Sequence, residues 1–276
     1  MCLSATVSYS AAVVLVSTGV YAIRQAKRLQ TLYWMWALVP VFFGLQQAFE
    51  GRVWQELDAG NTSAVVPFAL GFHFFSHFLW LWWLPLCSYL VETSQNSLPK
   101  QTSRFGKLRK WIFGSCAAFG AFAGTLVYTV MLLHPEWMSV AVREHSIVYN
   151  FSVPYRSTIH IPITPVMLYG LIILVPLLFS SHRLIRIFGG LVALSMAFAS
   201  VLYNEAFVSV WCFFAAVLSL YIVFMIRRLG VWLNHTRPSL IYGYARHGWP
   251  VQEPGWFLPS ACSSFRPHPP CELRQK

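Results

Sequence analysis

Apolar residues in this chain come in long blocks. Seven runs stand out, roughly Ala5–Ile23, Leu32–Trp54, Ala64–Val91, Trp111–Leu133, Ile163–Ser180, Leu184–Tyr203 and Ala206–Ile226. A helix needs about 20 apolar residues to cross the hydrocarbon core of a bilayer, and these runs are close to that length. The fifth and sixth are separated only by Ser181-His182-Arg183. Pro85 falls inside the third run and predicts a kink or an early end. The pattern predicts an all-α fold, a polytopic membrane bundle of about seven transmembrane helices over residues 1–228. Beyond Arg228 the blocks stop. Residues 229–276 hold Pro238, Pro250, Pro254, Pro259, Pro267, Pro269 and Pro270 and show no apolar period. Such a segment buries too little to fold alone, and a mostly disordered cytoplasmic tail is expected there. No internal repeat is visible, so an inverted-repeat transporter is not supported.

The connections carry the charge, and they carry it unevenly. One set of alternate connections holds Arg24, Lys27, Arg28, Lys100, Arg104, Lys107, Arg109, Lys110, Arg183, Arg186, Arg227 and Arg228, with Glu92 as its single acid. The other set holds Arg52, Arg143 and Arg156 beside Glu50, Glu56, Asp58, Glu136, Glu144 and Glu205. Lys and Arg concentrate in cytoplasmic loops, which predicts an N-terminus outside and a C-terminus in the cytoplasm. The same distribution explains the net charge of +11 without nucleic acid, because the basic residues form no continuous face. A mean hydropathy of +0.54 and a charged fraction of 11% exclude an ordinary soluble domain, where about a quarter of residues are charged. The six cysteines make no C-x-x-C pair and read as small apolar residues. No charged segment precedes the first apolar run, so a cleaved signal peptide is not expected. The long connection His134–Pro162 reads as an ordered outer cap, with an interfacial helix around Trp137–His145.

Polar residues inside the runs mark the candidate chemistry. With a rise of 1.5 Å per residue, Glu50 falls roughly 6 Å, His73 about 13 Å and His77 about 20 Å below the outer surface. Gln46 and Glu50 share one helix face, with Gln47 beside them; His73, Ser76, His77 and Trp80 share another. Glu205, Ser209 and Cys212 form a stripe on the last helix, with Trp211 next to it, and Ser4 and Ser8 do the same on the first. An ionisable side chain in hydrocarbon costs about 2.5–3.5 kcal/mol on the insertion scale, so these groups should turn inward and find partners. Three readings follow. The groups line an outer polar pocket for a small ligand, ion or proton, in sensing or transport. Alternatively His73 and His77, at i, i+4, share a zinc ion with Glu50 or Glu205, and Ser4 or Ser8 serves a lipid hydrolase. In the third reading they only pin helices together. No phosphate loop, nucleophile elbow or mid-span lysine in the seventh helix is present.

Three motifs carry a family resemblance. The chain begins Met1-Cys2-Leu3-Ser4-Ala5. It contains Gln46-Gln47-Ala48-Phe49-Glu50-Gly51 followed by Trp54, and later Ser209-Val210-Trp211-Cys212-Phe213-Phe214-Ala215-Ala216. These resemble a family of uncharacterised bacterial integral membrane proteins that begin Met-Cys-Phe-Ser-Ala. Leu3 replaces the usual Phe, and Leu81 stands where a Pro is expected after Trp80. The resemblance covers residues 1–228 and brings no activity. It implies a multi-span protein of the bacterial plasma membrane, in contact with membrane lipid, with Ser4, Gln46, Gln47, Glu50 and Trp211 as candidates.

Overall fold

A computed structural model describes residues 4–29, 33–94, 104–143, 146–152, 165–202 and 206–230. Glu205, the expected tail beyond residue 230, and Cys2, Cys262 and Cys271 lie outside the described residues. Seven helices run through the described part: α1 (Ala5–Arg28), α2 (Trp34–Asp58), α3 (Thr62–Thr93), α4 (Arg104–Leu133), α5 (Pro165–Leu178), α6 (Arg183–Leu202) and α7 (Phe207–Gly230). Five of them, α1, α3, α4, α6 and α7, are long and apolar enough to cross a membrane. Helix α5 has 14 described residues. Helix α2 has the length, but its apolar run is interrupted by Gln46, Gln47 and Glu50, all fully buried.

The burial is the reverse of a soluble protein's. Those polar groups are inside, while Phe119, Phe122, Leu126 and Leu133 on α4 and Leu194, Phe198 and Val201 on α6 face outward. Contiguous exposed apolar surface of this kind suits contact with lipid.

Small residues set how closely the helices approach. Helix α1 buries Ser8, Ala12, Leu15, Gly19, Ala22 and Ala26, a stripe of alternating four- and three-residue steps. It packs along α2, where Gly44 lies against the Ala12 carbonyl and Val16, and Gly19 against Val41. Any side chain at either glycine would push the backbones apart. Gly60 ends α2 at φ 69°. Its N–H donates to the Leu57 carbonyl and that of Asn61 to Glu56, at 3.1 and 2.9 Å, a Schellman turn that needs the left-handed region.

Helix α3 does not end at Pro85; it continues to Thr93. Proline frees the carbonyl four residues earlier, here Leu81, and Gly120 of α4 packs directly against that carbonyl. The unexpected feature lies upstream. Phe74–Leu79 is a π-helical segment, closed by the Trp80 N–H donating to the Phe75 carbonyl five residues back. Such segments rotate the side chains that follow, which removes Trp80 from the histidine face expected at α-helical spacing.

The expected interfacial helix at Trp137–His145 is instead the start of a hairpin. Met138–Arg143 (β1) pairs antiparallel with Ser146–Phe151 (β2), in the register Met138 with Phe151 through Arg143 with Ser146. The alternating Val140 and Val142, then Ile147 and Tyr149, suit a pleated ribbon better than a helix. Met138 and Ile147 pack on Val53, Trp54, Val65 and Ala69, so the hairpin covers the α2–α3 end.

The opposite end gathers Tyr33 before α2, Glu92 at the end of α3, and Ser180 to His182 between α5 and α6. Gly230 at the end of α7 lies beside Leu29. Lys27, Arg28, Lys107, Arg109, Lys110, Arg183, Arg186, Arg227 and Arg228 all belong to this basic end. The uneven charge of the connections is therefore a difference between the two ends of one bundle.

Candidate functional site

The hairpin end contains two polar networks, each built across helices. In the first, Glu50 of α2 accepts hydrogen bonds from Ser209 Oγ of α7 at 2.6 Å and from Gln47 Nε2 at 3.0 Å. Next to it the Trp80 indole N–H of α3 donates to Gln46 Oε1 at 2.8 Å, and the Trp80 ring stacks on Phe43 at 4.0 Å. Helices α2, α3 and α7 are thus tied by side chains that hydrocarbon could not solvate. The Gln46 side chain also reaches the Cys212 thiol of α7.

The second network is a tight imidazole pair at the start of the π segment, His73 just before it and His77 within it. His73 Nδ1 and His77 Nδ1 are 3.0 Å apart, and Ser76 Oγ lies 3.2 Å from the first and 2.9 Å from the second. At these distances the Ser76 hydroxyl and the two Nδ1 atoms can share protons, the donor being set by the imidazole tautomers. Tyr149 of the hairpin packs edge-on against His73 at 4.7 Å and stacks on Phe72 at 5.0 Å. The Tyr169 hydroxyl of α5 donates to the Ser76 main-chain carbonyl. Neither tyrosine stood out in the sequence, because both act across elements distant along the chain.

Beside the pair lies a cavity of about 220 Å³. Its apolar lining comes from α3, α4, α5 and α7, with Leu81, Ala123, Ile172 and Val208 among the contributors, and Ser76 and His77 supply a polar corner beside Tyr169, Trp211 and Cys212. Glu50, Gln46, Gln47, His73 and Ser209 do not line it; they are buried in the networks behind the wall. The single polar pocket expected from sequence is thus divided into a closed carboxylate network and a mainly apolar cavity with one histidine edge.

The remaining candidates separate from this site. Ser4 is the N-cap of α1, its Oγ accepting the Val7 N–H at 3.4 Å. Ser8 is fully buried, and its hydroxyl has no hydrogen-bond partner among the described residues. Glu50 is engaged with Ser209 and Gln47 while His73 and His77 engage each other. Among the described residues no group of three or more His, Cys, Asp or Glu is placed to hold a metal ion, so the structure does not assemble the His73, His77, Glu50 zinc set.

Sequence reasoning also passed over a third cluster, at the basic end. Glu92 Oε1 accepts from Ser180 Oγ at 3.1 Å, from Ser181 Oγ at 2.8 Å and from the Ser181 N–H. Arg109 Nε lies 3.2 Å from Oε2, and its N–H is not aligned on the oxygen, so the contact is ionic. Tyr33 OH meets His182 Nδ1 at 2.9 Å, and Arg186 donates to the Ser180 and Ser181 carbonyls at the end of α5. Burial, followed by the Glu92 carboxylate, pushes the Tyr33 phenol above its ordinary range. Burial holds the His182 imidazole below its ordinary value; Glu92 opposes that shift, and Arg109 and Arg186 reinforce it. The signal in sequence was Glu92 itself, the one acid among the basic connections.

The chain belongs to a family of unknown function, DUF6629, whose profile matches residues 1–233. No curated protein and no solved structure matches it.

Proposed function

We propose that this family member is a seven-span protein of the bacterial plasma membrane, with its N-terminus outside and its C-terminus in the cytoplasm. In this reading the cavity beside His77 binds a small, largely apolar molecule that carries one hydrogen-bonding group, for sensing or transport. The orientation is supported by Lys and Arg gathered at one end of the bundle. The ligand class is supported by one observation, a cavity with apolar walls and a single polar corner of Ser76 and His77. A dry apolar cavity of about 150 Å³ accepts benzene, so about 220 Å³ suits a substituted ring.

The probes 4-ethylphenol and ethylbenzene differ by one hydroxyl and separate the two parts of this reading. Binding is followed by the melting temperature of the detergent-solubilised full chain. The phenol is expected to stabilise the protein more than ethylbenzene does. His77→Phe should remove that preference while leaving apolar binding, and Ala123→Phe should fill the cavity and remove both. Equal stabilisation by the two probes, unchanged in either variant, would overturn the reading.

A structural role has its own support. Glu50 with Ser209 and Trp80 with Gln46 join three helices whether or not the cavity is filled. The two roles fall on different residues, so they coexist.

A further inference from the structure

The basic end has a groove of about 410 Å³ between α3 and α4, lined by none of the residues that line the cavity beside His77. Tyr89 and Thr93 form its α3 side. Lys107, Lys110, Trp111 and Ser115 form its α4 side, with Gly114 and Ala118 as the floor. These α4 positions follow helical spacing and occupy one face, whereas Arg109 turns toward Glu92.

Among the described residues the charge here has no carboxylate partner. Lys107 and Lys110 lie in the first two turns of α4, where the helix dipole already disfavours cations. Among the described residues no carboxylate pairs with either lysine, and the connection from Ser94 to Arg104 contains no acidic residue at all. Two ammonium groups and a helix N-terminus therefore face the same solvent. The remaining walls suit the boundary of a bilayer. Trp111, one of these walls, is 77% exposed, an amphipathic ring next to the lysines. Below it the floor has no side chain at Gly114, where a Cβ would rest in ordinary contact with Tyr89 at 3.4 Å. Further along α4, Phe119 and Phe122 are exposed apolar surface.

We infer that this groove is a binding site for one anionic glycerophospholipid of the cytoplasmic leaflet. The phosphodiester lies between Lys107 and Lys110, and an acyl chain follows the Gly114–Ala118 floor along α4. The Glu92–Arg109 ion pair holds the two helices in the register that frames the groove. Charge complementarity selects the headgroup, and the apolar floor selects a lipid over a free phosphate. The inference rests on the membrane reading, and resistance to alkaline carbonate extraction tests that reading separately.

The test uses the full chain, delipidated in detergent and titrated with phosphatidylglycerol, phosphatidylcholine or glycerol 1-phosphate. Bound copies are counted by native mass spectrometry. One phosphatidylglycerol should bind with about tenfold preference over phosphatidylcholine, two lysines each contributing on the order of a few-fold, and glycerol 1-phosphate should not be retained. The Lys107→Gln/Lys110→Gln double variant should lose the preference. Lys27→Gln/Arg28→Gln, which removes equal charge from the same end, should keep it. Gly114→Leu should lose the lipid with both lysines intact, and unchanged melting temperatures should show that each variant is folded. The site is overturned if the Lys107/Lys110 variant keeps its preference, if the Lys27/Arg28 variant loses as much, or if glycerol 1-phosphate binds as well as the lipid.

Discussion

Two buried glutamates stand at opposite ends of this bundle, and their surroundings differ. Glu92 meets a guanidinium, two serine hydroxyls and a backbone N–H, and it joins the ends of α3, α4 and α5. Glu50 meets an amide and a hydroxyl from α2 and α7. The first is a charge held by an opposite charge where the chain turns. The second is a carboxylate that, among the described residues, accepts from the Gln47 amide and from Ser209, a residue one turn along α7 from the Cys212 that lines the cavity. The basic end is built to fix helix register. At the hairpin end the Gln47 and Ser209 hydrogen bonds to Glu50 come from uncharged groups, so removing either donor bares no cation.

That contrast gives an order of effects. Glu92→Ala should be the most damaging change. Breaking a buried ion pair costs about 3–5 kcal/mol, and Arg109, which keeps 27% exposure, places this pair at the lower end. Thermal unfolding in detergent should show the loss, with recovery when Arg109 is also replaced by an apolar residue. An equal loss in the double variant would sink the ion-pair account. Ser209→Ala should cost less, about 1–2 kcal/mol, because it removes one donor to Glu50 and leaves no unpaired cation. Should it prove as harmful as Glu92→Ala, the two ends would not differ as described.

The smallest effect is a pH dependence at the basic end. Burial lowers the folded-state pKa of His182, so its stabilising neutral form is complete above the unfolded value near 6.5. As pH falls below that value the unfolded chain takes up the proton first, and stability declines toward the lower folded pKa. His182→Gln should flatten the melting temperature between pH 7 and pH 5, relative to the unsubstituted chain. A slope that is unchanged would place the titrating group elsewhere.

Much of this architecture is legible in the sequence because lipid imposes a simple rule on it. The apolar blocks located the helices, and the charge of the connections sorted the two ends. The buried state of Gln46, Gln47, Glu50, His73 and Ser209 follows from the cost of polar groups in hydrocarbon. What was not legible depends on distant pairing. The hairpin needs Val140 opposite Tyr149, a partnership that single-segment reading takes for an interfacial helix. The π segment Phe74–Leu79 contains neither glycine nor proline to announce it, yet it decides that His77 faces the cavity while Trp80 faces Gln46. Glu92 looked like a stray acid because its partners come from α4 and from the α5–α6 connection. The division of the expected polar pocket arises from these same rotations.

The central claim is that a small amphipathic molecule occupies the cavity beside His77. Photolabelling with a diazirine-bearing alkylphenol, read by peptide mass spectrometry on the full chain in bilayers, tests it most directly. Adducts are expected on Ser76–Leu81 of α3 and Phe207–Cys212 of α7, and excess 4-ethylphenol should remove them. Adducts spread over outward-facing Phe119, Phe122 and Leu126, unaffected by the competitor, would contradict the claim.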